Sequence, residues 1–205
     1  LVRGKLTTAG DDGWFSFEHG HTLLYSDMPN AHVRPGYQTV MPRLQKDYGE
    51  TRAKWIMHML RNLNIYPSLF FMDQISSQLR VIRPLAFNKT EVHSFCVGVK
   101  GESAADRENR IRQFEDFFNV SGMGTPDDLS QFHSAQTGFK ATKVKWNDLS
   151  RGSHLWTEEA TAHSKFLNIK PWLTGTELTQ EGLFINQHRS WQNYLLHGLT
   201  EKVSD

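Results

Sequence analysis

The sequence predicts an α+β fold built on an antiparallel sheet. Three observations carry that reading. Strand candidates gather in the first half of the chain, and longer helical patterns fill the second half. No strict βαβ alternation connects them. Two neighbouring strand candidates are separated only by a turn at Asn88-Lys89, as in an antiparallel hairpin.

Taken in order, the opening through Gly10-Asp11-Asp12-Gly13 reads as loop. Trp14 to Tyr25 is aromatic-rich strand material interrupted by Gly20. Met28 to Pro42 holds Pro29, Pro35, Gly36 and Pro42, and is expected to be an irregular connection. Leu44 to Leu60 places Leu44, Tyr48, Trp55 and Met59 near helical spacing despite Gly49, which predicts one helix. Leu69 to Asp73, Gln78 to Arg83 and Thr90 to Val99 follow as strands. The last alternates Val92, Ser94 and Cys96 against His93, Phe95 and Val97. Ser103 and Asp106 form a capping-box-like start to a helix that lines up Ile111, Phe114, Phe117 and Phe118. Thr125 as N-cap and Pro126 at the first helical position open another, ending at Gly138. A strand near Val144 to Trp146, a short helix over Glu158 to Leu167 and a final helix over Asn186 to Leu199 complete the pattern.

A length of 205 residues suits one domain. The formal net charge of +1 gives no broad field for nucleic acid or an anionic membrane, so neither is an expected partner. Cys96 is the only cysteine, which excludes an internal disulfide, a four-cysteine zinc site and a complete iron–sulfur ligand set within the sequence. Such usage fits a reducing, cytoplasmic setting. No apolar run is long enough to span a membrane. The start Leu1-Val2-Arg3, without Met, is read as that of a fragment of a longer polypeptide. Aromatic residues make up 12% of the chain, enough for a core and for a pocket that takes a flat apolar ligand.

Asp127-Asp128 is the leading chemical candidate. Local spacing favours helix capping, since acids in a first turn meet unpaired amides and the positive end of the dipole. Metal ligation is the alternative, helped by the small-residue, flexible stretch from Asn119 to Gly124 beside it. His19-Gly20-His21 is the second candidate, because positions i and i+2 of a strand share a face and both imidazoles could reach one metal. Cys96 in an apolar strand reads as a small core residue. No phosphate-binding loop, dinucleotide fingerprint, nucleophile elbow or zinc-protease pattern is present.

Several stretches resemble the large subunit of Rieske-type aromatic ring-hydroxylating dioxygenases of the benzoate, anthranilate and aniline group. They are Arg61-Asn62-Leu63, Met72-Asp73-Gln74, Lys100-Gly101-Glu102-Ser103-Ala104 and the run from Glu115 to Leu129, which contains Gly122-Met123-Gly124-Thr125-Pro126-Asp127-Asp128. Trp146-Asn147-Asp148 and Gln187-His188-Arg189 extend the likeness towards the C-terminus. The resemblance implies a helix-grip, START-like catalytic domain, with an antiparallel sheet wrapped around a long helix. Residues 1–205 would be the C-terminal part of that single domain.

It also implies a mononuclear Fe(II) held by two His and one carboxylate, a role that falls on Asp128 for metal ligation and catalysis. Asp127 would be a neighbour. Phe118, Gly124 and Phe132 fall at substrate-pocket positions, with Asn62, Met72, Ser76 and Thr22 as weaker carry-overs. Gly124 stands where a related enzyme carries a bulky aromatic, so extra space is expected there. The family's His-x4-His-like segment and its N-terminal Rieske [2Fe-2S] domain have no counterpart in this sequence, and the ligand role does not pass to His19 or His21. The whole enzyme would take electrons from NADH through a reductase or ferredoxin, and add both atoms of O2 to an aromatic small molecule. A small (beta) subunit and a trimeric assembly are implied partners. Two alternatives stay open: a non-catalytic apolar-ligand module of the same fold, and a metalloenzyme using His19 and His21.

Overall fold

A computed structural model of the chain describes residues 12–74 and 76–200. Gly10 and Asp11 of the expected opening loop lie outside the described residues.

Seven strands form one antiparallel sheet: β1 (Gly13–Ser16), β2 (Thr22–Asp27), β3 (Met59–Ile65), β4 (Leu69–Asp73), β5 (Ser77–Ala86), β6 (Lys89–Cys96) and β7 (Leu173–Gly175). Their spatial order is β6-β5-β4-β3-β2-β1-β7. Apart from β7, each strand therefore pairs with its neighbour in sequence, and β7 closes the edge beside β1. Among the described residues there are six α-helices: α1 (Tyr37–Tyr48), α2 (Glu50–His58), α3 (Ala104–Phe117), α4 (Thr125–Gly138), α5 (Ala162–Leu167) and α6 (Gly182–Thr200). The α+β class and antiparallel sheet are those expected.

Directly opposed residues share a sheet face, so the register sorts the strands into two surfaces. One surface carries Phe15, Leu23 and Tyr25, and packs with Trp55 of α2, Met59, and Leu167 of α5. The opposite surface carries Trp14, Leu24 and Leu173, and packs against Leu183 of α6. The nineteen-residue α6 is thus the long helix laid across the sheet, at its β7-β1-β2 end. Gln187 donates to Thr22 Oγ1 at 3.1 Å, and Tyr194 stacks on Tyr66 of the β3-β4 turn.

Several boundaries differ from the sequence reading. The Leu44 to Leu60 segment is two helices, because Gly49 adopts φ 81°, ψ 162°, a region essentially open to glycine alone. Met59 and Leu60 already belong to β3, a strand whose polar Arg61, Asn62 and Asn64 hid it. The connection expected to be irregular becomes helical at Tyr37, with Pro42 inside α1 at the loss of one ladder bond. Val144 to Trp146 is not a strand, and Trp146 is exposed. The short helix starts at Ala162, capped by Thr161, and the final helix starts earlier, at Gly182. The hairpin of β5 and β6 forms as expected, turning at Phe87-Asn88.

Candidate functional site

The sheet face that meets α6 continues past the helix into a polar middle. Asn62 faces Met72, which faces Gln78; Thr22 faces Asn64, which faces Phe70, which faces Arg80. Three of the expected pocket residues, Thr22, Asn62 and Met72, therefore lie on one surface. Ser76 is also buried, in the turn between β4 and β5. This surface is unusual in carrying amides where an apolar core would be cheaper. Asn64 and Gln78 are buried, yet Asn62 Oδ1, Asn64 Oδ1 and Gln78 Nε2 have no hydrogen-bond partner among the described residues. Buried polar atoms are nearly always paired, so a cluster of open ones on one face marks a place for water or a ligand.

The far side of this polar patch is bounded by the end of α3. Phe118 is 4% exposed, and the Arg80 guanidinium carbon lies 5.5 Å from its ring centroid. Arg80 Nε donates to Gln78 Oε1 at 2.9 Å. Burial lowers the proton affinity of Arg80, and the nearby Asp128 carboxylate works against that shift. The first turn of α4, which carries Asp128, is tied to this end of the face by the Thr125 hydroxyl, which donates to the Phe118 carbonyl at 2.7 Å.

The link from α3 to α4 is tightly tied rather than flexible. Met123 N donates to Asp116 O at 2.9 Å, Gly124 N to Phe117 O at 2.9 Å, and Thr125 Oγ1 to Phe118 O at 2.7 Å. The N-cap of α4 is Gly124 and its first residue is Thr125, so the helix starts one position earlier than expected. Asp127 and Asp128 sit in the first turn at the positive end of the helix, as their spacing suggested, but among the described residues neither carboxylate accepts a capping hydrogen bond. The Asp128 carboxylate is exposed and free to take another partner. The space expected at Gly124 is occupied: a Cβ there would lie 2.7 Å from Cε1 of the Phe117 ring. Phe132 is 62% exposed, and α4 buries none of its residues.

His19 and His21 do not share a strand face. His19 sits at φ 60° in a 3-10 turn, while His21 Nδ1 accepts from Tyr66 N at 3.0 Å. Among the described residues no group of three or more His, Cys, Asp or Glu is placed to hold a metal. The Cys96 thiol is pushed up by burial, as suits a packed residue. Two surface depressions, of ≈ 420 and ≈ 310 Å³, lie along α3 and beside Gly36, and neither includes Asp128.

Sequence reasoning missed Asn64, Gln78 and Arg80. The available signal was a period of two: Asn62 with Asn64, and Gln78 with Arg80, each put polar groups on one strand face.

No family profile matches the chain. It is 64% identical over 193 residues to the anthranilate 1,2-dioxygenase large subunit of Acinetobacter baylyi, covering 94% of this chain and 41% of that protein. It is 46% identical over 187 residues to the 2-halobenzoate 1,2-dioxygenase large subunit of Burkholderia cepacia, covering 91% of this chain and 40% of that protein. It is 41% identical to the toluate 1,2-dioxygenase subunit alpha of Pseudomonas putida, covering 94% of this chain and 44% of that protein. The chain thus spans about two-fifths of the length of these curated relatives. Among solved structures, naphthalene 1,2-dioxygenase with indole in its active site matches at TM-score 0.67 and 17% identity, covering 94% of this chain and 44% of that one. The Rhodococcus sp. naphthalene 1,2-dioxygenase bound to indole matches at TM-score 0.74 and 16% identity, over 90% of this chain and 45% of that one. At these identities the structural likeness speaks for the fold.

Proposed function

We propose that this chain is part of a large subunit of an aromatic ring-hydroxylating dioxygenase, forms the C-terminal part of its catalytic domain and orients a benzoate- or anthranilate-like ring for dihydroxylation. One observation carries the reading. In a chain 64% identical to an anthranilate dioxygenase large subunit, a sheet face with open amides runs up to Phe118 and Arg80, and the first turn of α4, with Asp128, is hydrogen-bonded to Phe118.

Asp128 fits the carboxylate part of a mononuclear iron site: it is exposed, uncapped and oxygen-donating. The described residues supply no further ligands beside it, so the remaining imidazoles would come from elsewhere in the full-length protein. When bound, Fe(II) supplies dioxygen activation, with electrons from NADH arriving through a reductase or ferredoxin and a Rieske [2Fe-2S] cluster. The chain's own residues do the positioning. Phe118 offers an aromatic wall. Thr22, Asn62, Met72 and Ser76 line or adjoin the face on which the ring would lie. Gly124 fixes the approach of α4, and Phe132 lies one turn beyond Asp128 on that helix. Holding the ring in one pose against the reacting centre is where such a scaffold lowers the barrier. A small subunit, a trimeric assembly and a cytoplasmic location complete the proposal. No described helix is long and apolar enough to cross a membrane.

The test uses the full-length large subunit with its reductase, NADH and O2. Ring-dependent NADH oxidation with a diol or catechol product is expected from the unaltered protein. Asp128→Ala is expected to lose both bound iron and product, while Asp127→Ala retains most of each. Because neither carboxylate caps α4, both variants should stay folded, short of even the usual cap loss of about 0.5–2 kcal/mol. Full iron occupancy in Asp128→Ala would sink the ligand assignment.

A further inference from the structure

We propose that Arg80 anchors the carboxylate of the ring substrate. The proposal rests on the dioxygenase reading above and names the residue that selects an acid. Its starting point is an imbalance in the arginines. Arg34 and Arg61 pair with Asp73, and Arg110 pairs with Glu102. Arg80 is half-buried on the polar sheet face and makes no ion pair among the described residues. A cation taken out of water needs an anion or a full set of acceptors. Arg80 has one acceptor, Gln78 Oε1 at 2.9 Å on its Nε, and the face of Phe118. Its terminal nitrogens remain for a planar, two-oxygen partner, which is what a guanidinium fork fits.

Among the described residues, the carboxylate whose charge acts on Arg80 is Asp128. If that carboxylate is committed to iron, its charge is shared with the metal and Arg80 is left short of an anion. A ring acid delivers one. Position matters as much as charge. In a 1,2-dioxygenation of a benzoate, the carbon that bears the carboxylate is itself one of the two carbons attacked. The anchor must then sit near the metal ligand, and Arg80 lies over Phe118, whose carbonyl accepts from Thr125 in the same first turn of α4 that carries Asp128. Gln78 adds a second feature: its Oε1 fixes the guanidinium, while its buried Nε2 is an open donor directed to the same face. A flat, uncharged hydrocarbon would leave both groups unpaired, so the face discriminates against it.

The experiment measures equilibrium binding by calorimetry to the full-length, iron-loaded large subunit. The ligands are benzoate and nitrobenzene, which share a shape and differ in charge. Arg80→Gln is expected to weaken benzoate about 100-fold, as when one partner of a desolvated charge pair is removed, and to leave nitrobenzene unchanged. Arg80→Lys keeps the charge without the fork and is expected to fall between the two. Iron content and thermal melting are measured on each variant. Equal losses for both ligands, or benzoate binding unchanged in Arg80→Gln, overturn the proposal. Should Arg80→Gln fail to fold, the Lys variant decides, and benzoate affinity equal to that of the unaltered protein overturns it. Turnover is read separately. Arg80-dependent benzoate binding without any ring product would count against the dioxygenase reading alone. Ring product with Arg80-independent benzoate binding would count against the anchor alone.

Discussion

At Asp73 one carboxylate meets Arg34 at 3.0 Å, Arg61, and the Ser77 hydroxyl at 2.9 Å. The two guanidiniums reach onward to the Met59 and Ile56 carbonyls, which pins the junction of α2 with β3. Burial by itself would push the Asp73 carboxyl up; Arg34 and Arg61 outweigh it and hold the group below the ordinary carboxylate range. A depressed folded value means that the charged form stabilises the fold above the unfolded value, near 3.9 on average (about 3.9 in model peptides), and that this contribution fades as pH falls through the folded value. Asp73→Asn is therefore expected to cost about 3–5 kcal/mol at neutral pH, because two guanidiniums lose their counter-ion in a largely buried site. Urea unfolding of both proteins across a pH series checks this. The gap between them should hold constant through neutral pH and narrow below the carboxylate range; a gap independent of pH contradicts the account. Residues of this kind were unevenly legible in the sequence. Asp128 and Phe118 stood out because a long specific stretch carries them. Arg80 and Asp73 did not, since the groups that give them meaning lie on other strands or helices.

Elements were legible where a local signal matched the final environment. β4 has the limits expected, and the Ser103 cap of α3 forms, with Ser103 Oγ accepting from Asp106 N. β3 escaped because Asn62 and Asn64 face the site rather than solvent and Arg61 faces the Asp73 carboxylate, which breaks the apolar alternation that marks a half-buried strand. β7 has three residues and is held by pairing with β1, a long-range contact with no local signature. The start of α6 was placed late because its first residue is a glycine, a poor helix former. Packing explains the glycine. A Cβ at Gly182 would lie 2.4 Å from Cη2 of Trp14, a fully buried ring whose Nε1 donates to Gln180 Oε1. Gly182→Ala is expected to destabilise the protein by about 1–3 kcal/mol, the usual penalty for overpacking, despite the better helix propensity of alanine. Denaturant midpoints measure it, and an unchanged or raised midpoint would show that Trp14 can yield.

Across the whole molecule the sheet separates two tasks. One face is an apolar core around Tyr25, Trp55 and Met59, bordered by the Arg34–Asp73–Arg61 ion pairs. The other is apolar only where α6 covers it, and turns polar towards Phe118 and Arg80. Asp128 stands at the edge of that polar region on a helix that buries nothing. Metal affinity at such a place follows from ligand number and type. One carboxylate oxygen competes poorly with water, whereas imidazoles chelating together with it give a site that retains Fe(II). The alternative ligand pair, His19 and His21, lacks the geometry, since His19 lies in a left-handed turn and His21 Nδ1 accepts from Tyr66 N. The 205-residue chain alone is therefore expected to hold iron well below one ion per chain after gel filtration, and the full-length large subunit to hold it near equivalence. Metal analysis of both, with Asp128→Ala in each and a His21 replacement in the short chain, makes the comparison. Stoichiometric iron on the short chain that survives Asp128→Ala but not replacement of His21 would overturn the ligand assignment and return the site to the histidines.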